Sequence, residues 1–217
     1  MKTIALVTQK GGAGKTTLAT ALAVAAMESG EKVVALDLDP QGSLAAWGDD
    51  RDRAEPAVDK LDDERLARLP ALLEGLGRAG MTLAVLDCPG IASTATNAAI
   101  AAADLCLLPT RPTRLDIRAS RPTVQALLSL KRPFAFVLNQ CPPGPRNSRA
   151  SEAAEGLHMM GALAEPFMAT RADYQDAVAS GLGVTEYASQ GKAADEVRQL
   201  WAWVRKQLND KNKKGNA

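Results

Sequence analysis

Histidine and cysteine are nearly missing from this chain, and their scarcity closes off several kinds of chemistry. There is one histidine, His158, and the three cysteines, Cys88, Cys106 and Cys141, form no C-x-x-C pair. An odd cysteine count completes no disulfide framework, and one histidine leaves no zinc set. Thiols of this kind suit a reducing cytoplasm. Excess charge is also lacking: with a net charge of +1 over 217 residues, no global field draws the chain to nucleic acid or lipid. No apolar run approaches the roughly 18 residues that a membrane span needs, and the first residues read as a strand, not as a basic-then-apolar leader. The expectation is a soluble cytoplasmic protein without stable membrane insertion.

Local charge is less even. Residues 49–64 hold eight acids against three bases, which reads as a solvated surface segment after the second strand. Residues 205–217 hold five bases and one acid, which reads as a mobile basic tail. Such a tail either touches nucleic acid or anionic lipid or is a frayed, solubilising end.

Apolar runs alternate with helical periodicity along the whole length. Strands are expected at Thr3–Thr8, Val33–Asp37, Leu83–Asp87, Leu105–Pro109 and Phe134–Asn139. Helices are expected at Lys15–Ser29, stopped by Gly30, at Leu61–Arg78, and in an Ala-rich stretch ending at Ile100–Ala103. Three more are expected: from Thr113 to about Lys131, where Pro122 imposes a break or a late start, at Ser151–Met160 and at Asp195–Leu208. Pro142–Arg149 reads as a mobile loop. The alternation is that of a parallel sheet covered on both faces, so residues 1–217 are expected to form a single three-layer α/β domain of the P-loop NTPase type. No repeat or linker divides it, and a phosphate loop starting at residue 10 leaves no room before it for a helix-turn-helix domain.

That loop is the most informative segment. Between the first strand and the first helix stands Lys10-Gly11-Gly12-Ala13-Gly14-Lys15-Thr16-Thr17. Glycines without Cβ atoms let successive backbone N–H groups turn inward around a phosphate, and the following helix adds its N-terminal partial charge. Lys15 is placed to reach the β- and γ-phosphates and Thr16 to ligate Mg²⁺. The common pattern would need glycine at position 9; this chain has Gln9 there, followed by an extra lysine, Lys10. The K-G-G-x-G-K-T-T form resembles the deviant Walker A motif of the ParA/MinD family of ATPases. The resemblance implies ATP and Mg²⁺ as cofactors, with residues 10–17 binding ATP. It also implies a nucleotide-sandwich homodimer in which Lys10 reaches the phosphates held by the partner. Lys10 and Lys15 then count as catalytic.

Hydrolysis also needs a metal ion and an oriented water. Asp87 ends an apolar strand and is followed by Cys88-Pro89-Gly90, similar to the family's D-x-P-G segment, which implies support of Mg²⁺ by Asp87. Leu36-Asp37-Leu38-Asp39-Pro40-Gln41-Gly42 is similar to the family's first switch; there Asp37 supports the Mg²⁺ shell through water and Asp39 orients or activates the attacking water. Thr16, Asp37 and Asp87 are thus the metal candidates. Asn139 falls where the family hydrogen-bonds the adenine edge, its rival role being to cap the turn after a strand. Pro166, Phe167 and Met168 are expected to line the adenine pocket, unless they are simple core. Pro109–Asp116, a proline-punctuated segment, and Arg171-x-x-Tyr174 through Val184-x-Glu186 are similar to family segments as well.

The resemblance leaves the use of the cycle open. One reading is a ParA-type ATPase that dimerises on ATP, binds DNA without sequence preference and positions or partitions a plasmid, chromosome or protein cargo. Its hydrolysis would be stimulated by a ParB-like or other partner with a basic N-terminal segment, and it would be nucleoid-associated. Candidate DNA contacts are Arg114 and Arg118, which share a helical face with Arg121, then Arg146 and Arg149 in the loop, and Lys211, Lys213 and Lys214 in the tail. The alternative is a MinD-like membrane-cycling ATPase that uses the stripe Val197, Leu200, Trp201, Val204 and Leu208. Iron–sulfur relatives lack their cysteines here, and a kinase of this fold would need a C-terminal tyrosine cluster, whereas only Tyr174 and Tyr187 are present.

Overall fold

A computed structural model describes residues 1–144 and 148–214, with side chains through Asp210. The elements run β1 (Lys2–Leu6), α1 (Lys15–Glu28), β2 (Val33–Asp37), α2 (Ser43–Asp49), β3 (Ala57–Lys60), α3 (Asp63–Ala67), α4 (Leu69–Arg78), β4 (Leu83–Asp87) and α5 (Thr94–Ala102). They continue with β5 (Leu105–Thr110), α6 (Arg114–Ser129), β6 (Phe134–Leu138), α7 (Ser148–His158), β7 (Ala162–Leu163), α8 (Ala172–Ala179), α9 (Val184–Tyr187) and α10 (Lys192–Lys214). The strands form one sheet in the order β3-β2-β4-β1-β5-β6-β7, and every pairing is parallel. This is the single α/β domain with helices on both faces that the sequence implies. The chain winds from β1 out to β3, returns to β4 beside β1, then continues past β1 on the other side. The carboxyl ends of β1, β2 and β4 therefore meet where the winding reverses, the usual place for a ligand in such sheets.

Strand residues alternate between two cores. Ile4 and Leu6 face α1, α2 and α8–α10, packing with Leu22, Trp47, Val197 and Trp201; Ala5 and Val7 face α3–α7, packing with Leu73, Ile100, Leu127 and Leu157. Helix α1 is buried almost without interruption from Leu18 to Ala26, and its small Ala and Val side chains let the sheet and α10 approach closely. At the far end of the first core, buried Arg51 lies 4.6 Å over the Trp47 ring, bonds the carbonyl oxygens of Gly181 (2.9 Å) and Glu55 (2.6 Å), and pairs with Glu186. This cluster ties α2 to α9.

Several expectations change. The acidic 49–64 segment is not simply solvated: Ala57–Lys60 form edge strand β3, parallel to β2, with its first three residues half-buried. The expected helix Leu61–Arg78 is two helices. Asp62 caps α3 by accepting from the Arg65 N–H at 2.8 Å, and α4 restarts with Pro70 in its first turn, where a missing N–H costs nothing. Conversely, α6 runs through Pro122 unbroken, with the proline on its exposed side, where the lost hydrogen bond faces solvent and not the core. Over its described part the basic 205–217 stretch is helical: α10 continues to Lys214, and Leu208 within it is buried. The apolar stripe of α10 is the inner face of that helix: Val197, Leu200, Trp201, Val204 and Leu208 are all buried, leaving none of it for lipid. Among the described residues no helix is long and apolar enough to cross a membrane.

Candidate active site

The glycine loop leaves β1 and enters α1 through two left-handed residues, Gly12 (φ 73°) and Gly14 (φ 88°), which residues with side chains adopt only with strain. No side chain caps α1, so the amides of its first turn are left for a ligand. Lys15 folds inward and is buried, and its Nζ lies 3.4 Å from where a Cβ on Gly90 would stand. Gly90 therefore packs directly against the ammonium group, with no side chain between them.

Thr16 donates its hydroxyl to Asp87 Oδ2 at 2.6 Å. Among the described residues the other carboxylate oxygen of Asp87 is buried with no partner. Burial pushes the Asp87 carboxyl up to about 7, and nearby Asp37 adds to this while the Thr16 hydroxyl and Lys15 oppose it. A buried oxygen with no donor, beside a hydroxyl, suits a hard cation. Among the described residues no group of three His, Cys, Asp or Glu could hold a metal ion unaided.

Asp37 stands beside Asp87 in register on the neighbouring strand and is fully buried. Its two oxygens accept the N–H groups of Asp39 and Ala45, each at 2.9 Å. It thus pins both ends of the loop between β2 and α2. Asp39, half-buried, steadies the turn by accepting the Gln41 N–H at 3.0 Å. The glycine loop, Asp39–Gln41 and Pro89–Ile91 bound one open cleft of about 600 Å³. Lys10 is not turned into it: Nζ pairs with Asp116 Oδ1 at 2.8 Å, on the first turn of α6. Burial raises the Asp116 carboxyl, but hydrogen bonds from Lys10, Thr113 and Arg111 outweigh it and hold the group below the ordinary carboxylate range.

Behind the loop lies a second, smaller cleft of about 140 Å³, whose walls include Gly14, Thr17, Asn139, Gln140, Thr170 and Arg171. Asn139 is there, as expected, but its amide is committed: Nδ2 donates to the Ala13 carbonyl at 2.9 Å, and Oδ1 accepts the Gln140 N–H at 2.9 Å. The second bond is local, to the next residue in the chain. Pro166, Phe167 and Met168 do not line this cleft. Met168 is fully buried in the core, its backbone bonded to Leu138 and Cys141, while Pro166 and Phe167 face a separate groove beside Trp203. The wall is made instead one step further on, at Ala169–Arg171. Arg171 is fixed by Glu196 at 2.5 Å, and Glu196 also accepts the Tyr174 hydroxyl at 3.2 Å. Sequence reasoning gave no role to Gln140, Thr170 or Arg171; the only signal was that they follow a strand end or open a family-like segment.

Arg114 and Arg118 are exposed on α6 with Arg121, and Arg114 and Arg149 line one groove of about 470 Å³ between α6 and α7. Arg146 lies outside the described residues. Lys211, Lys213 and Lys214 stand on the last turn of α10, and their side chains are outside the described set.

Comparison with known proteins agrees with this geometry. A family model described as the CobQ/CobB/MinD/ParA nucleotide binding domain matches residues 4–200. The maintenance of carboxysome distribution protein A of Gloeobacter kilaueensis is 34% identical over 212 residues, covering 96% of this chain and 94% of that protein. Its counterpart from Halothiobacillus neapolitanus is 31% identical over 218 residues, covering 91% and 94%. Among solved structures, apo McdA from Cyanothece superposes with a TM-score of 0.78 at 19% identity, covering 96% of this chain and 99% of that one; at that identity the likeness shows the fold.

Proposed function

Because the chain belongs to the CobQ/CobB/MinD/ParA nucleotide-binding family, we propose that it is a positioning ATPase: it dimerises on ATP, binds DNA without sequence preference and distributes a cargo through partner-stimulated hydrolysis. Its place would then be on the nucleoid. The observation that carries the ATPase reading is the Thr16–Asp87 hydrogen bond with a buried, unpartnered carboxylate oxygen beside it, at the mouth of a glycine loop that holds Lys15 inward. Relatives named for carboxysome distribution match almost end to end, which supports a large protein body as the cargo in preference to a plasmid.

Thr16 and Asp87 would hold Mg²⁺, and buried Asp37, beside Asp87, would add negative charge on the same side. When bound, the ion would supply neutralisation of the negative charge on the phosphates. The chain does the rest. Glycine-loop amides and Lys15 grip the triphosphate. Asp39, at the cleft wall, accepts a proton or hydrogen bond from the attacking water. Gly90, in the segment after Asp87, has no side chain to set against Lys15, so that segment can follow the γ-phosphate and withdraw when it leaves. Lys10, once released from Asp116, adds a cation to the phosphates of the second subunit, where two triphosphates would otherwise repel.

The test is phosphate release together with light scattering in ATP, ADP and a non-hydrolysable ATP analogue. A slow turnover and a dimer seen only with the triphosphate are expected. Absence of both ATP binding and turnover overturns the reading. Turnover without a nucleotide-dependent shift of an unrelated DNA duplex at low salt overturns the DNA part alone.

A further inference from the structure

Gln140 stands in the left-handed region, φ 53°, although it carries a full side chain and no glycine is present to relieve it. A residue held there needs compensation from its surroundings. The compensation is visible. Gln140 Nε2 donates to the Gly12 carbonyl at 2.9 Å, and the preceding residue, Asn139, donates Nδ2 to the Ala13 carbonyl at 2.9 Å. Two consecutive side-chain amides at the end of β6 therefore take two consecutive carbonyls of the glycine loop. They do so across 128 and 126 residues of sequence. The contact is close enough that a Cβ on Gly14 would stand 2.5 Å from Asn139 Nδ2.

The orientation matters more than the bonds themselves. In a loop that cradles phosphate, the N–H groups must face the anion, so the carbonyls must face away. Loop glycines have many backbone conformations open to them, and peptide units free to rotate would turn carbonyl oxygens toward the phosphates. We infer that Gln140, working with Asn139, is a positioning residue of the phosphate loop: it holds the Gly12 carbonyl turned away from the cleft before nucleotide arrives. It touches no phosphate and is no catalytic residue. The left-handed backbone of Gln140 is what brings its amide to Gly12 while Asn139, next in line, serves Ala13.

The inference rests on the ATP-binding reading, and the experiment separates the two. Affinities for ATP and for inorganic tripolyphosphate are measured by competition with a fluorescent ATP analogue, for wild type, Gln140→Gly and Gln140→Met. Gln140→Gly deletes the amide and relieves the backbone; Gln140→Met keeps the length without a donor. Both variants are expected to bind ATP and tripolyphosphate about fivefold more weakly, by one shared factor, the equivalent of one neutral hydrogen bond. Nucleotide-free Gln140→Gly is expected to melt no lower than wild type, which a merely structural role would not allow. Unchanged ATP affinity in either variant overturns the inference. So does a loss confined to ATP, which would make Gln140 a base contact, or a lowered melting temperature in nucleotide-free Gln140→Gly. If wild type binds neither ligand nor the analogue, the ATP reading itself has failed.

Discussion

Lys10 Nζ lies 2.8 Å from Asp116 Oδ1, so the lysine that distinguishes this glycine loop is held by its own chain, at the start of α6. It cannot serve that carboxylate and a second subunit's phosphates together. The pair is partly exposed on the lysine side and worth about 0.5–1 kcal/mol. Asp116→Asn is therefore expected to lower the protein concentration for half-maximal ATP-dependent dimerisation about threefold, measured by light scattering. Lys10→Ala is expected to remain monomeric. A Lys10→Ala protein that dimerises like wild type removes Lys10 as the bridging group.

The two cleft aspartates should separate cleanly. Asp39→Ala removes the group that faces the water and one exposed turn bond to Gln41, but no group assigned to phosphate, so ATP affinity stays and turnover falls about 100-fold or more, the scale of a lost general base. The ATP dimer then accumulates. Asp87→Ala removes the partner of Thr16 and should weaken magnesium-dependent ATP binding itself. Titrating ATP with and without Mg²⁺ into both variants checks this; identical affinities and identical residual turnover would sink the division of roles.

Buried Arg51 and Glu186 make a stability prediction. Their side chains are 1% and 2% exposed, so removing one partner strands a charge in the interior. Glu186→Gln is expected to cost about 3 kcal/mol in urea unfolding. Burial raises the Glu186 carboxyl, but the Arg51 hydrogen bond, the Gly183 N–H and the charges of Arg51 and Arg53 outweigh it and hold it below the ordinary value. A depressed carboxylate stabilises the fold above its unfolded value and loses that contribution as pH falls through the folded one. Wild-type stability should therefore drop on the acid side of the ordinary glutamate value, with a shallower drop in Glu186→Gln.

Salt dependence is the measure of which basic face would carry the proposed DNA binding. Arg114 and Arg149 share one groove, and reversing both to glutamate should weaken gel-shift binding about tenfold or more. The salt slope should become shallower by about two, one for each phosphate that is no longer neutralised. Neutralising Lys211, Lys213 and Lys214 while sparing the groove should have the smaller effect. The opposite ranking would move the DNA-binding surface to the end of α10.

Much of this was legible in the sequence because its causes are local. Residues 10–17 and 37–42 carry their own backbone requirements, and the apolar strands β1, β2, β4, β5 and β6 stand out because both faces are buried. What could not be read has distant causes. Edge strand β3 was hidden among acids because a strand at the rim is only half covered by the sheet. Pro166–Met168 lie just before the wall of the small cleft, and which side of the core each side chain takes is set by the packing of β6, β7 and α10 around them. Gln140 looked like any loop glutamine; its partner, Gly12, becomes a neighbour only after β1 and β6 have been placed on either side of β5.

The two strands at the rims of the sheet are its shortest, four residues in β3 and two in β7. A bare rim of backbone amides is what lets β-proteins zip into fibres or trade segments with neighbours. Here neither rim is long enough to template another strand. Molecules crowded together on a shared matrix, however densely, would thus lack the backbone route to irreversible fusion, and encounters between them would stay governed by side chains and whatever small molecule lies between. An assembly that must be taken apart at every turnover needs that reversibility.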